Sequence, residues 1–321
     1  MLLVVSTLSM SAAAVVWPLD RNDDLIGELI HDRARGDETL VDIARMHNIG
    51  HFEIRQANPD LDAWLPAHNA KVLVPQLHIL PDAPREGIVV NLAERRLYYF
   101  SDRWPDRDGP VVSTHPVGVG LMDRATPVTE TRVTAKVDNP AWYPTPEVRD
   151  WYRREKNEIL PAMVPPGPDN PLGQHAMVLD GDGLLIHSTH RPAGVGMRVS
   201  QGCIRLYPES IANLIGQVPV GTPVRIIDQP FKLGWRAGQL YLELEPAAEH
   251  DAARHPETLW LELQQAIRAR SAARDGVEID WQAARAALER ADSVPVVIAA
   301  ENQRIVNTPE PVHAPGILKP D

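Results

Sequence analysis

The chain has 321 residues, 44% of them hydrophobic. This length exceeds that of one typical domain and predicts two or three folded units. Its formal net charge of −11 excludes general nucleic-acid binding, because a basic surface supplies most of the affinity for phosphates. No apolar run approaches the roughly 20 residues of a membrane-spanning helix, so the sequence predicts no transmembrane segment.

The amino terminus is typical of a secretory signal peptide. Residues 2–10 are mainly apolar, and residues 11–14 supply the small side chains that a signal peptidase requires. We therefore expect residues 1–14 to be a signal peptide, although a positively charged start is missing. The alternative is a buried amino-terminal strand.

Residues 15–84 are predicted to form a small module and a linker. Asp37 or Thr39 caps its first helix, and Pro59 ends its second. The predicted order is strand, helix, helix, strand, over residues 25–30, 37–44, 52–57 and 71–74. The pattern is carried by Gly36, Asp37, Thr39, Leu40, Ile43, Ala44, Ile54, Ala57, Asn58 and Pro59. It resembles a LysM module, and that resemblance implies binding of wall glycan. The alternative is a helical cap packed on the next domain.

Residues 85–229 are predicted to form a domain made mainly of short β-strands separated by turns. The strands are expected over residues 88–92, 96–100, 111–119, 131–136, 174–179, 184–187 and 222–227. A long proline-rich stretch over residues 139–171 interrupts them and contains Trp142 and Tyr143. A loop of this length inside a compact domain is usually a lid or a binding loop.

Residues 230–306 are predicted to form a strand and a helical appendage. The strand covers residues 239–245, where leucines alternate with polar side chains. Two helices follow, with apolar stripes that indicate packing rather than a site. Residues 307–321 are rich in proline and are expected to be disordered.

Cys203 is the only cysteine, so no intrachain disulfide can form. In a secreted protein such a residue is either a small core residue or a thiol kept for its chemistry. A free thiol is only a few per cent ionised at neutral pH, and a neighbouring imidazole can take its proton and pass it to a leaving amine. His187 ends an apolar strand 16 positions before Cys203 and can supply that imidazole.

The residues before Cys203 are suited to an oxyanion hole. Gly202 permits a tight turn, and the amides of Gln201, Gly202 and Cys203 can then point at one spot. A helix is predicted over residues 208–216, and its positive end is expected to lower the pKa of the thiol.

The same segment resembles the catalytic domains of YkuD-type L,D-transpeptidases. These carry a histidine, then Ser/Thr-His-Gly-Cys, and Arg or Asn two residues later. His187, Ser200, Gly202, Cys203 and Arg205 stand in register with that motif. The likeness spans about residues 85–230 and is nearest to the periplasmic members that anchor lipoprotein or crosslink stems. Two positions depart from the pattern: Gln201 replaces a histidine, and Ser188 replaces a common glycine.

The resemblance implies a β-sandwich-like catalytic domain with α/β additions. It implies that Cys203 attacks the diaminopimelate–D-alanine bond of a tetrapeptide stem, while His187 acts as base and then acid. The Ser188 carbonyl would orient the imidazole, and the Gly202 and Cys203 amides would stabilise the oxyanion. The acyl acceptor would be an amine of another stem or of an outer-membrane lipoprotein. No metal or organic cofactor is implied, and the expected location is the periplasm of a Gram-negative envelope.

Five residues are predicted to contact substrate: Arg205, Gln201, Ser200, Trp142 and Tyr143. For Arg205 the alternative is a structural salt bridge, and for the two aromatic residues it is ordinary packing.

Two other functions remain open from the sequence. An L,D-carboxypeptidase or amidase would use the same scaffold with water or a different amine as acceptor. A non-catalytic peptidoglycan-binding protein would carry a vestigial Cys203. His187 and His190 also form an H-x-x-H pair, but no further ligand stands at suitable spacing for a metal.

Overall fold

The computed structural model describes residues 15–20, 22–181, 183–246 and 256–301. The predicted signal peptide, residues 1–14, and the predicted tail, residues 307–321, lie outside the described residues. Within the described part of the chain, no helix is long and apolar enough to cross a membrane.

The amino-terminal unit has the predicted strand, helix, helix, strand order. Thr39 forms a capping box with Asp42, which fixes the start of the first helix. Gly27, at φ +75°, divides the predicted strand at residues 25–30 into two short strands. Its elements are β1 (Val16–Pro18), β2 (Leu25–Ile26), β3 (Leu29–Arg33), α1 (Leu40–Met46), α2 (His51–Gln56), β4 (Lys71–Pro75) and β5 (His78–Ile79). Strand β3 pairs with β4, and β2 pairs with β5, both antiparallel.

The middle unit is mainly β, as predicted. Its elements are β6 (Gly87–Asn91), β7 (Arg96–Ser101), β8 (Val111–Pro116), β9 (Val119–Gly120), β10 (Thr129–Asp138), α3 (Pro146–Glu155), β11 (His175–Leu179), β12 (Leu185–His187), β13 (Arg198–Ser200), β14 (Ile204–Arg205), α4 (Pro208–Gln217) and β15 (Pro223–Ile227). The large sheet has nine strands in the order β1-β8-β7-β6-β15-β10-β11-β12-β14. Strand β1 therefore belongs to this sheet, although the sequence analysis assigned residues 15–84 to the preceding module.

The hydrophobic core of the middle unit supports the end of the sheet that carries the predicted active residues. Ile186 of β12 and Ile204 of β14 are fully buried in this core. Helix α4 packs on it through Ile211, Leu214 and Ile215. Because both strands are anchored by buried side chains on one face, their other face is held in a fixed position.

The carboxy-terminal unit contains more strands than predicted. Its elements are β16 (Phe231–Arg236), β17 (Gln239–Leu244), α5 (Pro256–Ser271), β18 (Val277–Ile279), α6 (Trp281–Arg290) and β19 (Val296–Glu301). The strands form a sheet in the order β16-β17-β19-β18, and both helices pack on it. The prediction of a single strand was wrong because β16 contains Gly234 and charged residues, which weaken the alternating pattern.

A buried ionic cluster joins the three units. The Nζ of Lys232 lies 2.9 Å from Glu94 and 3.0 Å from Glu243, and all three side chains are buried. Nearby, the Arg96 guanidinium pairs with Glu53 of α2 at 2.5 Å. The Glu53–Arg96 pair crosses from the amino-terminal unit to the middle unit, and the Lys232–Glu94 pair crosses from the carboxy-terminal unit to the middle unit.

Candidate active site

His187 ends β12, and Cys203 immediately precedes β14, the parallel strand next to it. In the register of β12 and β14, Ile186 is opposite Ile204 and His187 is opposite Arg205. Side chains alternate along a strand, and the two isoleucines point into the core. His187, Arg205 and Cys203, two residues before Arg205, therefore share the other face.

That face opens into a cavity of about 820 Å³. His187, Cys203 and Arg205 line its floor, and Trp142 and Tyr143 line it from the loop over residues 139–171. The cavity also contacts Gln201, Ser200 and Gly202. The structure thus brings the predicted residues to one site, with the exception of Ser188, which lines a separate cavity of about 400 Å³ with His190.

The imidazole of His187 is held in one tautomer. Its Nδ1 lies 2.5 Å from the Ser188 carbonyl oxygen, to which it donates, so Nε2 is left as the proton acceptor. Burial and the nearby Arg205 cation lower the pKa of His187 to about 3, although the Ser188 and Leu172 carbonyls oppose that shift. At neutral pH the imidazole is therefore uncharged and can act as a base.

The thiol of Cys203 is also uncharged at neutral pH. Burial raises the pKa of Cys203, and the Leu185 backbone and the Arg205 cation offset only part of that rise. The expectation that the start of α4 lowers the thiol pKa is not met, because desolvation dominates. The thiol and the imidazole that line this cavity are therefore both uncharged at neutral pH.

The turn before Cys203 is fastened by Ser200. The Ser200 hydroxyl donates to the Cys203 carbonyl at 2.5 Å and accepts from the Gly202 amide at 3.2 Å. Gly202 has φ +110°, in the region that favours glycine. Ser200 is buried, and its hydroxyl braces the turn; its contact with substrate stays a prediction. The Gly202 amide is likewise engaged, whereas among the described residues none accepts from the Cys203 amide.

Thr126 is a site residue to which the sequence analysis gave no role. Its buried hydroxyl donates to the Gly202 carbonyl at 2.8 Å and accepts from the Gly120 amide at 2.9 Å. It therefore ties the nucleophile turn to β9. Only the Thr-Pro dipeptide of Thr126 and Pro127, ahead of a strand, pointed to it in the sequence.

Arg205 and Gln201 offer unpaired polar atoms beside the thiol. The Nε of Arg205 and the Oε1 of Gln201 are buried without a hydrogen-bond partner. Burial lowers the pKa of Arg205, and within the described chain no carboxylate forms an ion pair with it. Arg205 lines the cavity as a cation, and its contact with substrate stays a prediction.

The loop that covers the cavity is pinned by Asn170, a second residue without an assigned role. Asn170 is 1% exposed. Its Nδ2 contacts the carbonyls of Pro140, Val164 and Pro165 at 2.9 to 3.2 Å, and its Oδ1 accepts from the Leu172 amide at 2.9 Å. This one side chain holds both ends of the loop together.

The two predicted aromatic contacts differ in exposure. Trp142 is half-buried, exchanges two backbone hydrogen bonds with Val164, and meets the Tyr152 ring with centroids 6.5 Å apart. Tyr143 is 69% exposed. Trp142 thus belongs to the packed loop, and Tyr143 is the aromatic side chain that is free to contact a bound molecule.

One group of potential metal ligands occurs among the described residues, away from the thiol. His78, Glu94 and Glu243 bring their ligand atoms within 4.8 Å of one another. The ammonium of Lys232 already lies between the two carboxylates. The Lys232 ammonium therefore occupies the position that a metal ion would take.

Comparisons with known proteins agree with this geometry. Residues 85–226 match the model of the YkuD family, the L,D-transpeptidase catalytic domain. The probable L,D-transpeptidase YcfS of Escherichia coli is 40% identical over 263 residues, covering 78% of this chain and 80% of the relative. The probable L,D-transpeptidase ErfK/SrfK of the same organism is 37% identical over 302 residues, covering 92% and 95%. The solved catalytic domain of the Enterococcus faecium L,D-transpeptidase aligns with 46% of this chain and 100% of its own length, at 23% identity and a TM-score of 0.34. The sequence identity and its coverage place the chain in the YkuD family: it is an L,D-transpeptidase.

Proposed function

We propose that Cys203 is the nucleophile of this L,D-transpeptidase and that His187 is its base. The observation that carries the proposal is the shared cavity floor. His187 at the end of β12 and Cys203 just before β14 line the same cavity, and the Ser188 carbonyl holds the imidazole with Nε2 free. A neutral pair in a covered cavity is suited to a reaction in which the proton moves together with sulfur attack.

The first half-reaction forms a thioester. Sulfur attacks the carbonyl that joins diaminopimelate to the terminal D-alanine, while the thiol proton passes to His187 Nε2. The Cys203 amide donates to the oxyanion. The C–N bond then breaks, and the imidazolium returns the proton to the leaving nitrogen of D-alanine. The products are a stem acylated on sulfur and free D-alanine.

The second half-reaction transfers the acyl group. An acceptor amine attacks the thioester, loses a proton to His187, and expels the sulfur of Cys203. The sulfur regains its proton from the imidazolium, so the enzyme returns to its starting state. Water in place of the amine would give a shortened stem, which is the carboxypeptidase reaction.

Arg205 and Gln201 are proposed to recognise the stem. The Arg205 guanidinium lines the cavity and has an unpaired Nε, and a substrate carboxylate would pair with this cation. The Gln201 Oε1 would accept from a stem amide. Tyr143, exposed at the cavity rim, would stack on the chain of the stem.

The acyl acceptor and the location of the enzyme are also proposed. The natural acceptor is proposed to be the side-chain amine of a second stem or a lysine of an outer-membrane lipoprotein. Both substrates lie in the periplasm, which is the proposed location. The LysM-like unit would hold the enzyme on wall glycan.

Intact mass spectrometry tests the nucleophile. Incubation with a carbapenem, a strained cyclic amide, is expected to add one molecule to the wild type and none to Cys203→Ser. Incubation with purified tetrapeptide muropeptides should release D-alanine and form dimers. Tripeptides without dimers would identify a carboxypeptidase instead, and equal labelling of the serine variant would refute the assignment of Cys203.

A further inference from the structure

The connection between α1 and α2 packs directly against the chain that leads into Cys203. A Cβ placed on Gly196 would lie 2.6 Å from the Gly50 Cα and 2.5 Å from the His51 nitrogen, closer than real contacts allow. The His51 amide donates to the Val195 carbonyl at 3.0 Å. Gly196 stands two residues before β13, so the amino-terminal unit contacts the start of the segment that carries Cys203, residues 195–210.

The same connection also meets the chain that leaves Cys203. The buried Tyr207 hydroxyl donates to the Ile49 carbonyl at 3.0 Å, and the Ser210 hydroxyl donates to the Asn48 side chain at 3.0 Å. Arg45 of α1 forms a bidentate ion pair with Glu209, at 2.8 and 2.9 Å. The segment from residue 195 to residue 210 is therefore held at both ends by one unit.

These contacts rest on a firm base in the catalytic sheet. Asn48 donates to the Thr114 carbonyl of β8 at 2.6 Å. Glu53 of α2 pairs with the buried Arg96 of β7. Because β7 and β8 belong to the same hydrogen-bonded sheet as β12, the α1–α2 connection has a fixed position relative to the strand that carries His187.

We propose that the α1–α2 connection, residues 48–51, is a positioning element that sets the nucleophile turn relative to His187. This inference rests on the proposed role of Cys203. The amino-terminal unit is then part of the catalytic scaffold, in addition to any binding of glycan by its other surfaces. Its effect on the reaction acts through the placement of the turn over residues 200–203.

Gly50→Ala is a small perturbation of this contact. Gly50 has φ −78°, which alanine adopts without strain, so the change acts only through packing. The new Cβ would meet the Gly196 Cα at 3.0 Å and Pro116 at 3.3 Å, and the segment must move by a few tenths of an ångström. A misplacement of 1 Å can cost about 100-fold in rate, so we expect kcat to fall by roughly 3- to 10-fold. KM for the stem should stay unchanged, because residues 48–51 do not line the cavity.

Gly109→Ala is the matched control. Gly109 has φ +83° and nothing within 4 Å of a new Cβ, so alanine there lowers stability through backbone strain without touching the nucleophile segment. Both variants are made in the full chain and compared for kcat, KM, melting temperature and the amide resonances of Gly202 and Cys203. We expect lower kcat and shifted resonances for Gly50→Ala alone.

A second variant separates loss of contact from crowding. Tyr207→Phe keeps the buried ring and removes the hydrogen bond to Ile49, and it should lower kcat in the same sense with KM unchanged. The inference is overturned if both variants react like the wild type, or if Gly109→Ala loses as much kcat as Gly50→Ala. Failure of the wild type itself to be acylated at Cys203 would instead refute the proposed function.

Discussion

The protonation state of the resting thiol is the prediction that the structure specifies most closely. Burial raises the pKa of Cys203 above its ordinary value of 9.0, and His187 has a pKa of about 3. A thiol with a pKa of 9.0 is about 1% ionised at pH 7, so the thiolate fraction of Cys203 should be lower still. Neutral thiol should therefore exceed thiolate by more than about 100-fold at pH 7.

The assay is a direct titration of the thiolate by its ultraviolet absorbance. Cys203 is the only cysteine, so the difference between wild type and Cys203→Ser reports this sulfur alone and cancels the tyrosines. We expect no thiolate signal near neutral pH and a midpoint above about pH 9. The stability of the fold across the range is checked by circular dichroism on the same samples.

The opposite arrangement, a thiolate beside an imidazolium, gives a different curve. It predicts a constant thiolate signal from about pH 5 to pH 8, lost in His187→Ala. Such a plateau would refute the reasoning that burial controls this pair. Acylation by a carbapenem should nevertheless proceed at neutral pH, because neutral His187 takes the proton during attack, and it should fall only as the pH approaches about 3.

Three further outcomes are expected. Arg205→Gln should lower kcat/KM for tetrapeptide stems by about 10- to 100-fold, which corresponds to the loss of one charged hydrogen bond. Stems whose carboxylates are amidated should show no loss. An equal loss on both substrates would contradict carboxylate binding by Arg205. Asn170→Ala removes a buried side chain with four hydrogen-bond contacts to the loop. It should raise KM and speed amide hydrogen exchange in residues 164–172. Exchange at the wild-type rate there would show that Asn170 does not hold the loop. Lys232→Met should lower the free energy of unfolding by about 3–5 kcal/mol, because Glu94 and Glu243 lose their buried cation. Burial already raises the pKa of Glu243, and loss of Lys232 raises it further, so the deficit in urea unfolding should grow as the pH rises above about 4.5 and shrink below it; a deficit independent of pH would contradict this account.

Much of the catalytic end could be predicted from the sequence because its pattern is local. The apolar run before His187 predicted the strand, and the turn beside Gly202 follows from the need for a positive φ. The Thr39 cap fixed the first helix in the same way. In each case the residues that determine the structure are neighbours in the chain, so short-range chemistry was sufficient.

The remainder depends on contacts between distant residues. The raised pKa of Cys203 comes from desolvation in the folded site, which no motif encodes. Ser200 was predicted to touch substrate, and only the folded turn shows that its hydroxyl is used by the backbone. Strand β16 was missed since its partners in the carboxy-terminal sheet, not its own pattern, make it a strand.

The Lys232 cluster has a consequence for how such chains can be rearranged. A segment cut at residues 85 and 229 would keep Glu94 and Arg96, which lie 3.8 Å apart, but each would lose its nearer charged partner, Lys232 or Glu53. Exchange of either flanking unit with another protein carries the same penalty unless the matching charge travels with it. Recombination among relatives should therefore move these units together, as a single inherited block.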